Sequence, residues 1–338
     1  MSRKSVYIAH TGGTIGMKKT PQGYAPVRGY LDEVIRRMPE FQLDDTPRVV
    51  VREFEELIDS SNMTPIEWWK IAEDIRDHYD QFDGFVILHG TDTMAYTASA
   101  LSFMLEDLSK PVIVTGSQIP MGELRSDGRD NLVGAVLMAA NYAIPEVGLF
   151  FHDRLYRGNR SQKVDANGFH AFDSPNFPPL AEAGIDFTIN EHLLLPGPNK
   201  PFNVRQLTPP RLATLSLFPG ISGDMIRQFI QPPVQGLILL TYGSGNAPSK
   251  DQNFLAALAE ANQRGVIIVN CTQCYRGKVD METYQCGQVL KQHGVISGHD
   301  MTHEAALTKL YYLFSLGLSI QEIKTRMQQN IRGELTES

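Results

Sequence analysis

Residues 5–16, SVYIAHTGGTIG, form a short apolar run that ends in two consecutive glycines and a threonine. Similar apolar and β-branched runs recur at 82–92 (FDGFVILHGTD), 110–118 (KPVIVTGSQ) and 146–153 (EVGLFFHD), and amphipathic segments follow them. Runs of about four to eight such residues that alternate with helical patterns are typical of buried parallel strands in an α/β protein. The sequence therefore predicts a larger, mostly parallel N-terminal sheet flanked by helices.

The sequence predicts two helices, one from its capping residues and one from its apolar spacing. Thr64, Pro65 and Glu67 supply an N-cap, a first-turn proline and a capping-box partner. After HGTDT, apolar residues recur at three- and four-residue spacing from Ala98 to Leu108, which predicts a helix that packs on the sheet. We expect Thr91 to lie where a strand ends and this helix begins.

The chain has 338 residues, more than the roughly 250 to 300 residues at which single cores stop growing. Residues 189–212 contain five prolines and little periodicity, as in an interdomain connection. Beyond them, LATLSLFPG, VQGLILLTYGSG, GVIIVNCTQC and GVISG predict a second, smaller parallel sheet. The predicted organisation is an N-terminal α/β domain at 1–188, a linker at 189–212 and a Rossmann- or flavodoxin-like domain at 213–338.

Composition restricts the class of partner. The net charge of −7 disfavours nucleic acid and anionic membranes, and no run of about 18 apolar residues predicts a membrane span. The apolar run SVYIA is too short for a signal peptide, and three cysteines are typical of a reducing compartment. The sequence thus predicts a cytoplasmic protein that acts on a small molecule, without nucleic-acid or membrane partners.

Four polar residues follow predicted strands, namely Thr14, Thr91, Asp92 and Ser117. Ligands of open parallel sheets bind beyond the carboxyl ends of the strands, where loops collect. We expect these four residues to converge in one site although they are far apart in the sequence.

The TGGT turn lacks the lysine of a P-loop and does not match GxGxxG, so phosphate binding is the weaker interpretation. Its glycines permit close approach of backbone to a ligand and present the Thr14 hydroxyl with free amides, which suits attack on a carbonyl. A plain turn with an incidental threonine is the alternative, and the motif alone leaves both open.

The second turn, HGTDT, carries Thr91, whose hydroxyl needs a base or a cation to become a nucleophile. Asp92 is adjacent, and Lys163 follows another predicted strand. From the residues alone, Asp92 could equally cap the following helix, and Lys163 could be a solvated member of a basic series.

Three further residues have candidate roles in binding or closure. Asp59 and Ser60 precede the capped helix and could bind an ammonium and a carboxylate, or only form a turn. Tyr24 lies in a polar segment where a loop could close over a site, although a surface tyrosine is the commoner case.

No metal or cofactor is predicted. Cys271 and Cys274 form a CxxC without a second pair, and His299 and His303 are expected on different elements because Asp300 or Thr302 would cap a helix starting at Glu304. His89, at a strand end, is expected to be a satisfied core histidine.

Taken together, TGGTI, HGTDT and TGSQIP, with RGNR, YGSGNAP, NCTQC and RGEL, resemble the bacterial-type L-asparaginases along nearly the whole chain, and the cytoplasmic type I branch in particular. The resemblance implies hydrolysis of L-asparagine to L-aspartate and ammonia without metal or cofactor. It also implies homodimers that often pair into tetramers.

The resemblance further assigns roles to the candidate residues. It implies Thr14 as nucleophile assisted by Tyr24, and Thr91, Asp92 and Lys163 as a second catalytic group. The implied substrate-binding residues are Asp59 and Ser60 for the α-amino and α-carboxylate groups, Ser117 near the side-chain amide, and Asn246 offered by the neighbouring subunit.

One departure concerns regulation. Some cytoplasmic members are activated by asparagine at a second site to which an arginine ahead of YGxGN contributes, and this chain has Leu240 and Thr241 there. An apolar leucine cannot make a bidentate carboxylate contact.

The sequence disfavours two other classes of protein. An amidotransferase subunit acting with tRNA normally has an extra N-terminal domain, whereas the first glycine turn here begins at residue 11, and the acidic charge disfavours tRNA. A binding protein has no need of two hydroxyl nucleophiles with a candidate base.

Asparagine and glutamine differ by one methylene, worth about 1 to 3 kcal/mol of binding free energy, so weak glutaminase activity stays open.

Overall fold

The structure is a computed structural model that describes residues 3–21, 23–44 and 46–337. Its two compact units divide between Arg205 and Gln206, inside the proline-rich segment 189–212. Each unit contains its own parallel sheet and its own apolar core. Among the described residues, no helix combines the length and apolar character needed to cross a membrane.

The N-terminal unit alternates strands and helices. Its strands are β1 (Ser5–Gly12), β2 (Met17–Thr20), β3 (Gly23–Pro26), β4 (Arg48–Ile58), β5 (Gly84–Leu88), β6 (Leu105–Glu106), β7 (Val112–Thr115), β8 (Val147–Phe151), β9 (Arg154–Arg157), β10 (Gln162–Lys163), β11 (Phe172–Asp173), β12 (Ala181–Ala183), β13 (Phe187–Ile189) and β14 (Asn203–Val204). Its helices are α1 (Tyr30–Arg36), α2 (Pro65–His78), α3 (Met94–Met104) and α4 (Gly128–Asn141).

The main sheet has eight strands in the order β13-β12-β9-β8-β7-β5-β1-β4. Neighbours from β4 to β8 are parallel, and β9, β12 and β13 are added antiparallel. The four strands predicted from apolar runs are confirmed as β1, β5, β7 and β8. Strand β4 had no such signal because it lies at the sheet edge, where its charged residues remain partly exposed.

The strand order reverses at β1. The chain passes from β1 to β4 on one side of it, and β5 then pairs with β1 on the other side. In open α/β sheets, such a reversal leaves a crevice at the carboxyl ends of the two strands. The turns that contain Thr14 and Thr91 follow β1 and β5, so both begin at this crevice.

Helix α2 begins as predicted. Thr64 accepts a hydrogen bond from the backbone N–H of Ile66, and the backbone N–H of Thr64 donates to Glu67 at 3.1 Å. Helix α3 ends at Met104, earlier than the apolar spacing indicated, because Leu105 takes up an extended conformation in β6. All residues of α3 except Tyr96 are buried, so this helix is enclosed on nearly every side.

The C-terminal unit contains strands β15 (Leu212–Ser216), β16 (Gly236–Thr241), β17 (Ile267–Thr272) and β18 (Val295–Ser297), with helices α5 (Gly223–Phe229), α6 (Gln252–Gln263), α7 (Gln285–Gln292), α8 (His303–Phe314) and α9 (Ile320–Met327). The four strands are parallel and lie in chain order. The smaller second parallel sheet predicted from the sequence is therefore confirmed.

Candidate active site

Glycines bring three strand ends into contact. Gly12 and Gly13 have φ values of 128° and 86°, which disfavour any other residue. A β-carbon at Gly12 would collide with the backbone of Ile58, and one at Gly13 with the backbone of Gly90. The turns that follow β1, β4 and β5 therefore pack backbone against backbone, and Thr14 emerges from this junction partly exposed.

Ser60 lies against the second glycine turn. Its side chain is 2% exposed, a β-carbon at Gly90 would fall 2.5 Å from its Oγ, and Thr93 donates to its carbonyl oxygen at 2.7 Å. Asp59 is exposed beside it, and its carboxylate accepts from the N–H of Ser61 at 3.1 Å. This turn thus offers a carboxylate and a serine at the edge of the junction.

Thr91, Asp92 and Lys163 form one hydrogen-bonded group. The ammonium of Lys163 donates to Thr91 Oγ1 at 2.9 Å and to Asp92 Oδ1 at 2.7 Å. Thr91 is 7% exposed and the Lys163 side chain 21%, whereas that of Asp92 is 64% exposed. A partly desolvated cation beside a hydroxyl stabilises negative charge on its oxygen, as activation of that hydroxyl requires.

These contacts argue against the two structural alternatives left by the sequence, and a catalytic role for Lys163 and Asp92 stays a prediction. Lys163 is not a solvated cation, because β10 directs it to Thr91. Asp92 does not cap α3: Thr93 occupies the N-cap position and makes no side-chain capping bond there. Both residues instead belong to the polar group around Thr91.

Gln118 is a member of this group that the sequence analysis missed. The Thr91 hydroxyl donates to its Oε1 at 3.1 Å, and its amide nitrogen donates to the carbonyl oxygen of Gly168 at 3.0 Å. Gly168 lies in the loop that joins β10 to β11, so Gln118 links Thr91 to the hairpin that carries Lys163. The available signal was its place in TGSQIP, directly after β7.

Ser117 lies close to the turn after β1. It is 1% exposed and donates its hydroxyl proton to the carbonyl oxygen of Ile119 at 2.6 Å. A β-carbon at Gly128 would lie 3.2 Å from both Ile15 and Ser117, so the two side chains flank the same glycine. Its oxygen retains capacity to accept a hydrogen bond.

Tyr24 lies on β3, which pairs antiparallel with β2 in a hairpin. The hairpin directly follows the turn Thr14–Gly16, and the Tyr24 side chain is 49% exposed. Reduced solvation, together with the nearby carboxylate of Glu123, raises the pKa of the Tyr24 phenol. The phenol is therefore protonated at neutral pH.

His89 is a buried structural residue, as expected. Its Nδ1 lies 2.7 Å from the carbonyl oxygen of Gly90, and its Nε2 lies 2.9 Å from Thr97 Oγ1. Complete burial lowers its pKa from 6.5 to about 4, so the ring is neutral at physiological pH. Since a carbonyl only accepts, Nδ1 donates and Nε2 accepts from Thr97.

Asn246 belongs to the C-terminal unit. It lies in the turn after β16 and forms an isolated β-bridge with Tyr242. Its contribution to a neighbouring subunit stays a prediction.

Among the described residues, no group of three or more histidine, cysteine, aspartate or glutamate side chains could hold a metal ion. Burial raises the pKa of the Cys271 thiol to about 12, and Cys274 is exposed. His299 lies in a loop and His303 begins α8, so the two do lie on different elements, with Thr302 as the N-cap. Asp300 is not the cap, because its carboxylate binds Thr336 near the chain terminus.

The fold and site define a two-unit α/β protein with paired threonine turns at a strand-order reversal. Residues 5–194 match the family model described as asparaginase, N-terminal, and residues 211–327 match the glutaminase/asparaginase C-terminal domain. The chain therefore belongs to the asparaginase family.

Similarity to individual relatives extends over nearly the whole chain. L-asparaginase 1 of Escherichia coli strain K12 is 55% identical over 336 residues, which cover 99% of each chain. The crystal structure of L-asparaginase I from Vibrio cholerae has a TM-score of 0.93 and 54% identity, and covers 99% of this chain and 100% of its own. A mouse protein named 60 kDa lysophospholipase is 46% identical over 349 residues, 97% of this chain and 62% of that protein.

Proposed function

We propose that this chain hydrolyses L-asparagine to L-aspartate and ammonia. The observation that carries the proposal is the contact of Lys163 with both Thr91 and Asp92, at 2.9 and 2.7 Å, beside the turn that presents Thr14. Similarity over 99% of the chain to L-asparaginase 1 supports the same reaction.

Thr14 attacks the side-chain amide. Its Oγ1 forms a bond to the amide carbon, and the proton of the hydroxyl passes through Tyr24 to the leaving nitrogen. The carbon–nitrogen bond then breaks, ammonia leaves, and an aspartyl ester of Thr14 remains. Backbone N–H groups of the glycine turns stabilise the negative charge that develops on the carbonyl oxygen.

Water then attacks the ester carbon, the bond to Thr14 breaks, and L-aspartate is released as Thr14 regains its proton. The second hydroxyl, on Thr91, orients the reacting groups while Lys163 and Asp92 fix its position and charge. This division of roles explains why two threonines and one cation occupy the same crevice.

Substrate recognition uses the turn after β4 and the turn after β7. Asp59 binds the α-ammonium group and Ser60 the α-carboxylate, while Ser117 contacts the side-chain amide. The exposed carboxylate of Asp59 and the position of Ser60 against Gly90 support this assignment. A glutamine side chain is longer by one methylene, so we expect weaker activity toward it.

Assembly and location complete the proposal. The chain forms homodimers or dimers of dimers in the cytoplasm, and Asn246 is offered to the site of the neighbouring subunit. The three free cysteines agree with a reducing compartment.

The test is ammonia release from L-asparagine and L-glutamine by the purified protein. We expect Thr14→Ala and Thr91→Ala each to lower kcat at least about a hundredfold, and Lys163→Met to act similarly, because each removes an interaction of the transition state. Thr188→Ala on the exposed face of β13 is the matched control and should leave kcat unchanged.

Two results would contradict the proposal. One is the absence of ammonia release from either amide, whether or not fatty acid is released from a lysophospholipid. The other is full activity in both threonine variants. Equal rates with asparagine and glutamine would revise only the substrate preference.

A further inference from the structure

The hairpin that carries Tyr24 begins after Gly16 and is followed by Gly29, the N-cap of α1. Gly16 lies against the side chain of His10 on β1, and the backbone N–H of Gly29 donates to the side chain of Glu53 on β4. The proposed chemistry uses neither of these two residues.

His10 holds the end at which the chain enters the hairpin. Its ring is 1% exposed, and a β-carbon at Gly16 would collide with Nε2 and Cε1 of the imidazole. The glycine backbone therefore lies directly against the ring. Any movement of the chain at Gly16 requires movement of His10 or loss of this contact.

Glu53 holds the end at which the chain leaves the hairpin. Its Oε2 accepts a hydrogen bond from the backbone N–H of Gly29 at 2.8 Å. Gly29 has a φ of 76° and precedes α1 without a side-chain cap of its own. The carboxylate thus supplies an acceptor at the helix start, where backbone N–H groups lack partners.

The two residues are also joined to each other. His10 and Glu53 are paired in the parallel register of β1 and β4, and His10 Nδ1 lies 3.3 Å from Glu53 Oε1. The Glu53 side chain is 13% exposed, so the contact is largely shielded from solvent. One buried pair on two adjacent strands therefore touches both ends of the hairpin.

We propose that the His10–Glu53 pair is the positioning element of this hairpin and sets the place of Tyr24 relative to Thr14. The inference rests on the proposed function, in which Tyr24 assists Thr14. Small displacements of an assisting group lower the rate of the chemical step more than they lower substrate affinity. His10 and Glu53 act through Tyr24 and touch no reacting atom.

The kinetic test compares Glu53→Ala with Glu53→Gln. The alanine removes the acceptor for Gly29, so we expect kcat for asparagine hydrolysis to fall about tenfold while KM changes less than about twofold. The glutamine keeps a carbonyl oxygen at that place and should stay within about threefold of the wild-type kcat. Glu55→Ala, at an exposed position of the same strand, is the matched control.

A double-mutant cycle tests whether the effect passes through Tyr24. If it does, Glu53→Ala in a Tyr24→Phe background lowers kcat by less than about twofold, since residues that act as a unit are not additive. A full tenfold loss in that background, or a loss confined to KM, would overturn the proposal.

Trypsin supplies a readout that does not depend on activity. Lys18 and Lys19 are exposed on β2, and we expect Glu53→Ala to be cleaved there at least about fivefold faster than wild type or Glu53→Gln, at equal Tm. Equal cleavage rates would overturn the positioning role. If wild type releases no ammonia, the proposed function fails, and the trypsin comparison still decides the role of the pair.

Discussion

Lys163 is identified as part of the candidate site by its position in the fold, because its residue type alone does not distinguish it from other lysines. In sequence it is one of 31 lysines and arginines, and the fold places its ammonium against Thr91 and Asp92. Gln118 accepts a hydrogen bond from the hydroxyl of the same threonine. At the scale of single residues, the site depends on hydrogen bonds between side chains that share no sequence motif.

His89 gives a prediction about pH. Its pKa falls from 6.5 to about 4 on folding, so the unfolded chain binds the extra proton between these values. The contribution of neutral His89 to stability is complete above pH 6.5 and is lost as the pH falls toward 4, by up to about 3 kcal/mol.

We therefore expect the free energy of unfolding of His89→Gln to fall less than that of wild type between pH 6.5 and 4, as measured by urea denaturation. Glutamine can still donate to the Gly90 carbonyl oxygen or accept from Thr97. Parallel pH profiles for the two proteins would show that His89 does not titrate in this way.

At the scale of elements, local signals predicted those helices and strands whose ends or burial are set within a few residues. The capping box of α2 and the apolar runs of β1 and β5 were read in this way. Strand β4 was not predicted, because its position at the sheet edge allows charged residues. Helix α3 is shorter than predicted, because Leu105 belongs to β6. Both exceptions arise from pairing with distant strands.

The capping box of α2 is testable. Thr64→Ala removes the acceptor for Ile66 and should lower the free energy of unfolding by about 1 kcal/mol. Thr64→Ser keeps a hydroxyl at the cap and should change it by less than about 0.5 kcal/mol. Equal losses in urea denaturation would indicate that the threonine methyl group, rather than the cap, stabilises this helix.

At the scale of the whole molecule, the chain divides into two compact units, the first of which ends at Arg205 and the second of which begins at Gln206. We propose that residues 189–212 are the linker between them. Lys200 is exposed in this segment, amid prolines and without a helix or strand of its own.

Limited digestion with endoproteinase Lys-C, which unlike trypsin also cleaves lysyl–proline bonds such as Lys200–Pro201, tests this linker. We expect cleavage after Lys200 at least about tenfold faster than after the lysines of α7–α9, because exposed irregular segments open at low cost. Lys200→Gln should abolish that fragment pair. First cleavage within β16 or β17 would place the flexible connection elsewhere.

By itself, the sequence determined the α/β class, the second parallel sheet, the start of α2 and the glycine turns that carry Thr14 and Thr91. These features depend on hydrophobic periodicity and capping within a few residues. Only the tertiary structure decided which lysine meets Thr91, since 72 residues separate Lys163 from it. It likewise decided which groups Gln118, His10 and Glu53 contact, because contacts between distant side chains depend on strand order and register.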